Sequence, residues 1–100
     1  MTNIIVRGQT LTQDQVAALD HLKKTAQRKD FFAAFIANLY DTAFKVNVRG
    51  CVSYIAGESD ERLKTAFYLM LEFSAKGIES HEVLGQDFVE SLIKKYGLRE

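Results

Sequence analysis

Acid–base catalysis near neutral pH most often uses histidine, and this chain has two, His21 and His81. By helical periodicity His21 projects with Asp14, Lys24 and Arg28 on a polar face, while His81 stands at a helix start between Glu79 and Glu82. Neither falls in a catalytic spacing, so each is read as a solvent-exposed or capping side chain. His81 with Glu79, Glu82 and Asp87 is the one cluster of metal-ligating types. It lacks the CxxC, HExxH or EF-hand framework that fixes a coordination geometry, so no metal and no cofactor are expected. Cys51, the single cysteine, would act as a nucleophile only with a base and a lowered thiol pKa; beside Val48 and Ile55 it reads as a small buried side chain. The serines form no Gly-x-Ser-x-Gly elbow, and the six glycines form neither GxGxxG nor a Walker loop. The expectation is a protein with no catalytic residues, not an enzyme.

Charge carries more information. Thirteen basic and thirteen acidic residues cancel, which argues against the bulk positive field of a nonspecific nucleic-acid binder. Gly77-Ile78 resembles the turn of a helix-turn-helix, but the helix after it carries Glu82, Asp87 and Glu90, which a polyanion would repel. Nucleic acid is therefore not the expected partner. The neutrality conceals polarisation: residues 23–49 hold six bases against two acids, a net of +4, and residues 58–90 hold eight acids against three bases, a net of −5. The two halves either neutralise each other in the fold or form a two-signed surface that steers a partner, or a second copy, into register. Lys23, Lys24, Arg28 and Lys29 are the expected contact group for an acidic partner, and Glu58, Asp60 and Glu61 for a basic one.

The elements that position these residues follow from periodicity. With 100 residues, 47% of them hydrophobic, the chain suits one domain over residues 1–100 with a core of its own. Ile4, Ile5 and Val6 before Gly8 predict an extended N-terminal arm. Thr12-Gln13-Asp14-Gln15 has the form of a capping box, opening a helix to about Arg28 whose buried stripe carries Leu19, Leu22 and Ala26. Asp30 opens a second helix along Phe31, Phe32, Phe35, Ile36, Leu39 and Tyr40. Residues 45–55 fit both periods, and the lack of a turn signal between Phe44 and Val46 favours one long helix to about Ala56. Ser59 or Asp60 starts a third helix that ends at Gly77, and Ser80 a fourth that ends at Gly97. The expected fold is mostly α: a compact four-helix bundle-like domain with an extended N-terminal arm. The alternative is α+β, with a small sheet from residues 4–7 and 46–55.

Adjacent phenylalanines at a helix start point about 100° apart, so Phe31 and Phe32 need cover from two sides. A second protomer could supply one of them, making Phe31, Phe32 and Tyr40 the expected oligomer interface. The Met1–Arg7 opening has neither the basic leader nor the apolar stretch of a secretion signal, and no run approaches the ~20 apolar residues of a membrane span. A lone thiol suits a reducing compartment, and the cytoplasm is expected. These features predict a small non-enzymatic interaction or regulatory protein that binds another macromolecule, as inhibitors and adaptors do, through an unidentified protein partner and self-association as a homo-oligomer. The alternative function is a small-molecule or nucleotide-binding module, with an aromatic-lined inter-helix pocket and Tyr40, Tyr54, Tyr68 or Arg49 as polar handles.

Overall fold

The computed structural model describes residues 5, 6 and 8–98. The predicted arm finds its strand partner in itself: β1 (Ile5–Val6) turns at Gly8 and pairs antiparallel with β2 (Gln9–Thr10), Ile5 opposite Thr10 and Val6 opposite Gln9. Ile4 and Arg7 of the predicted strand lie outside the described residues. Burial of Val6 and Leu11 ties the hairpin to the body.

The mostly α reading holds, with six helices among the described residues in place of four. Helix α1 (Gln13–Ala26) opens on the predicted capping box, Thr12 Oγ1 accepting from Gln15 N at 3.1 Å while Gln15 Oε1 accepts from Thr12 N at 2.9 Å. The long helix predicted to Ala56 is instead α2 (Asp30–Asn38) and α3 (Val48–Ala56), separated by a loop. Three short polar side chains account for the break, because each bonds the backbone locally in competition with helix. Asn38 Nδ2 donates to Phe44 O at 2.7 Å, Asp41 Oδ1 accepts from Ala43 N at 2.9 Å, and Asn47 Oδ1 caps α3 by accepting from Gly50 N at 2.9 Å. Gly50 belongs to that cap: a Cβ there would lie 2.7 Å from Asn47 Nδ2. Residues 48–56 are thus helical, and among the described residues Ile5 and Val6 pair with Thr10 and Gln9 and not with residues 46–55.

Helix α4 (Arg62–Ala75) ends before Gly77 as expected and lies along α1. The predicted fourth helix is divided into α5 (Ser80–Leu84) and α6 (Gln86–Lys95) by Gly85, whose φ of 94° and ψ of 136° are open essentially to glycine alone. The cap expected of Ser80 is made instead by Glu79, in a capping box with Glu82. Ser80 is wholly buried and serves the end of α2, its hydroxyl donating to Ile36 O at 2.6 Å and its backbone N–H to Leu39 O at 3.1 Å. Ser80→Ala should therefore cost about 1–3 kcal/mol, the penalty of an unpaired buried carbonyl, read as a lower urea midpoint at unchanged slope.

The core is one cluster built mainly by α1, α2, α4 and α6, with Leu22, Phe32, Ile36, Leu63, Phe73 and Val89 at its centre. Phe35 stacks on Phe67 at 4.4 Å, locking α2 to α4. The radius of gyration, 12.7 Å, is about that of a compact chain of this length. Helix α3 stands apart from this arrangement, packing on α2 and burying only Cys51 completely.

Candidate interaction surface

Helix α3 covers the start of α2. Tyr54 sets its ring edge-on to Phe32 at 5.5 Å and lies 6.0 Å from Phe31, and the Cys51 thiol points at Phe31 O, 3.4 Å away. The second cover that the Phe31-Phe32 pair requires is therefore this chain's own α3. Phe32 is 0% exposed and cannot form the expected oligomer face. Phe31 is half-buried at a hollow of about 380 Å³ that also touches Lys45 and Leu98. Tyr40 lines a different cleft, near the ends of α2 and α4. Phe31 and Tyr40 thus line separate hollows.

With Cys51 and Tyr54 turned towards α2, α3 leaves Val48 51% and Val52 48% exposed. Helix α4 is apolar nearly all round, and with one side against α1 it leaves Tyr68 59% and Leu71 41% exposed. Among the described residues these are four of the five large hydrophobic side chains left in solvent, Ile5 being the fifth. Val52, Ile55 and Ala56 of α3 face Lys64 and Tyr68 of α4 across a groove of about 320 Å³, which Glu58 and Glu61 also line. Val48 stands one turn before Val52 on α3, and Leu71 one turn after Tyr68 on α4. Scattered apolar side chains on a surface need no explanation, whereas a contiguous apolar strip with a charged rim marks a contact surface.

Glu58 and Glu61 of the predicted acidic contact group line this groove, with Asp60 between them in the chain. Asp60 is clamped by Arg62, whose Nη2 and Nε donate to Oδ2 at 2.7 and 3.0 Å while its backbone N–H donates to Oδ1 at 3.0 Å. These bonds hold the carboxyl down at about 2, so it stays charged into strong acid. Glu58 lies 3.9 Å from His21 Nε2, and Glu61 lies 3.9 Å from Lys64 Nζ with both side chains largely in water. His21, expected in solvent, is covered because the α3–α4 connection passes over it, leaving its side chain 17% exposed. Arg49 is exposed at the other end of α3 and makes no ion pair among the described residues.

The predicted basic group does not join this surface as a unit. Lys23 Nζ sits 4.9 Å over the Phe88 ring and Lys29 Nζ 5.6 Å over Tyr54, in cation–π geometry. Lys24 and Arg28 stand in solvent. Nor do the polar handles of a common pocket converge: Tyr54 packs on the phenylalanines, Tyr68 lines the α3–α4 groove, and Tyr40 lines the other cleft, of about 520 Å³. In that cleft Asn38, Asp41 and Glu79 are already bonded to backbone. His81 turns away to the edge of the Tyr40 ring, 5.1 Å off, with Nδ1 3.4 Å from Glu79 Oε1.

Burial pushes the Cys51 thiol up to about 11, the wrong direction for a nucleophile. Among the described residues no group of three or more His, Cys, Asp or Glu side chains is placed to hold a metal ion, and no helix is long and apolar enough to cross a membrane. The exposed strip of Val48, Val52, Tyr68 and Leu71 escapes sequence reasoning because periodicity assigns Val48, Val52 and Leu71 to buried faces. The available signal is quantity: α4 carries more apolar perimeter than neighbours of this length can cover. No protein-family model, curated protein or solved structure matches the chain.

Proposed function

We propose that the chain is a small non-enzymatic interaction protein of a reducing, cytoplasmic setting, which works by docking another protein chain on its α3–α4 face. The observation that carries this reading is the groove in which Val52, Ile55 and Ala56 of α3 face Tyr68 of α4, lined also by Glu58, Glu61 and Lys64, with Val48, Arg49 and Leu71 exposed farther out on the same two helices. An apolar strip supplies the affinity of an interface, and a rim of mixed charge supplies orientation and discrimination. A regulator, inhibitor or adaptor needs no more than such a surface on a rigid body.

The test is a photoreactive benzoylphenylalanine placed at Tyr68, with the same group at Asp20 on exposed α1 as the control. Irradiation of cells making the protein should yield a discrete heavier adduct from position 68 and not from position 20. Adding Val52→Asp, which puts a charge at the groove without touching the core, should reduce that adduct at least tenfold. No adduct from position 68, or one indifferent to Val52→Asp, refutes the docking reading.

A further inference from the structure

Charge placement along α3 bears on what this face can hold. A helix is partly positive at its N-terminus and partly negative at its C-terminus, so acids favour the first turn and bases the last. Helix α3 is arranged the opposite way: its first turn holds Arg49 and no acid, its last turn no base, and Glu58 follows immediately after the Gly57 cap, with Glu61 beyond. For α3 taken alone this ordering is unfavourable at both ends, while Glu61 also serves as the N-cap of α4, where an acid is favourable. The ordering along α3 becomes favourable when a second α3 lies antiparallel across the first, because each end then meets its opposite in both dipole and side-chain charge.

We propose that the α3–α4 face binds a second copy of this chain about a two-fold axis near Val52, placing Arg49 of each copy against Glu58 and Glu61 of the other. The inference rests on the docking reading above and names its partner. A two-fold contact uses the same patch twice, so the patch must complement itself. This one does: the apolar strip of Val48 and Val52 meets its own copy, and Arg49, without an ion pair among the described residues, lies in the first turn of α3 while Glu58 and Glu61 lie in the connection beyond its last turn. Asp60 is not required, since Arg62 already holds it. A partner bearing charge of one sign would meet repulsion at one end of this face, whereas a second copy meets attraction at both.

The experiment is sedimentation equilibrium of purified chain across a hundredfold concentration range, with two charge-reversed variants, Arg49→Glu and the double variant Glu58→Arg/Glu61→Arg. All three positions are at least partly exposed, and circular dichroism verifies that each variant keeps its helices. Wild type should pass from one chain mass to two as concentration rises, with weaker association at high salt. Each variant alone should associate at least tenfold more weakly. An equimolar mixture of the two should recover the dimer, because the carboxylate introduced at position 49 of one variant then faces the arginines introduced in the other, while Arg49 of the double variant faces Glu58 and Glu61. A wild-type mass of one chain throughout, or a dimer indifferent to both variants, overturns the second-copy assignment. The Tyr68 adduct separates the two levels of the argument. An adduct of twice the chain mass supports both, one containing a different protein overturns the second copy while leaving the docking face, and none overturns the docking face itself.

Discussion

Replacing Phe32 by alanine is expected to lower the unfolding free energy by about 3–5 kcal/mol, the usual cost of emptying an aromatic site in a closed core. The ring is wholly buried, 5.1 Å from Phe31 and 5.5 Å from Tyr54, so the cavity would open where α2 supports α3. Against the 5–15 kcal/mol of a typical domain, that loss is about a fifth or more of the total. At roughly 4–8 °C per kcal/mol for a chain of this size, the melting temperature should fall by at least about 12 °C. Phe31→Ala, at a half-buried position, should cost clearly less. The contrast matters for function, because a Phe32 committed to an oligomer face would be removed with little effect on the isolated chain. Equal, small losses for the two variants in a calorimetric melt would mean that α3 does not close over α2 as described.

The same two residues show how much of the architecture can be read in advance. That adjacent phenylalanines need two covers follows from helix geometry alone, and the requirement is correct. Which element supplies the second cover depends on where the chain turns back, and that turn is set by Asn38, Asp41 and Asn47, each acting through one local hydrogen bond. Such bonds leave no periodic signal, and the apolar period runs straight across them from Phe44 to Ile55. Strong periodicity combined with an explicit cap is legible, as in α1, and so is the stop at Gly77. Gly85 is not, because a single glycine within an amphipathic pattern is usually tolerated; only its dihedral angles expose it as a joint. The acidic rim of the groove is legible as charge, since the polarity of the chain singles out Glu58 and Glu61. Its apolar floor is not, because exposure is a property of what the neighbours leave uncovered.

Cys51 provides an internal gauge of whether α3 stays closed. Its thiol is wholly buried against Phe31 O and holds its proton to about pH 11. A thiol in an unfolded chain ionises near about 8.5, so at a pH of about 8 the native group should carry about two orders of magnitude less thiolate and react with a maleimide or disulfide reagent at least that much more slowly. Denaturant identifies the route. Direct attack on the closed state would be nearly indifferent to low concentrations of urea, whereas attack through transient opening of α3 would accelerate with them. Opening also predicts faster labelling in the Phe32→Ala protein, by a factor set by its lost stability, and no change with Val52→Asp at concentrations where the chain is monomeric. The linkage has a definite sign: because the folded state keeps a proton that the unfolded state releases, this group's contribution is complete below about pH 8.5 and is lost as pH rises through about 11. Urea midpoints across that interval should therefore fall more steeply for wild type than for Cys51→Ala. Parallel curves would show that the thiol is not sealed beneath α3, and the closed helix that presents Val48 and Val52 would lose its support.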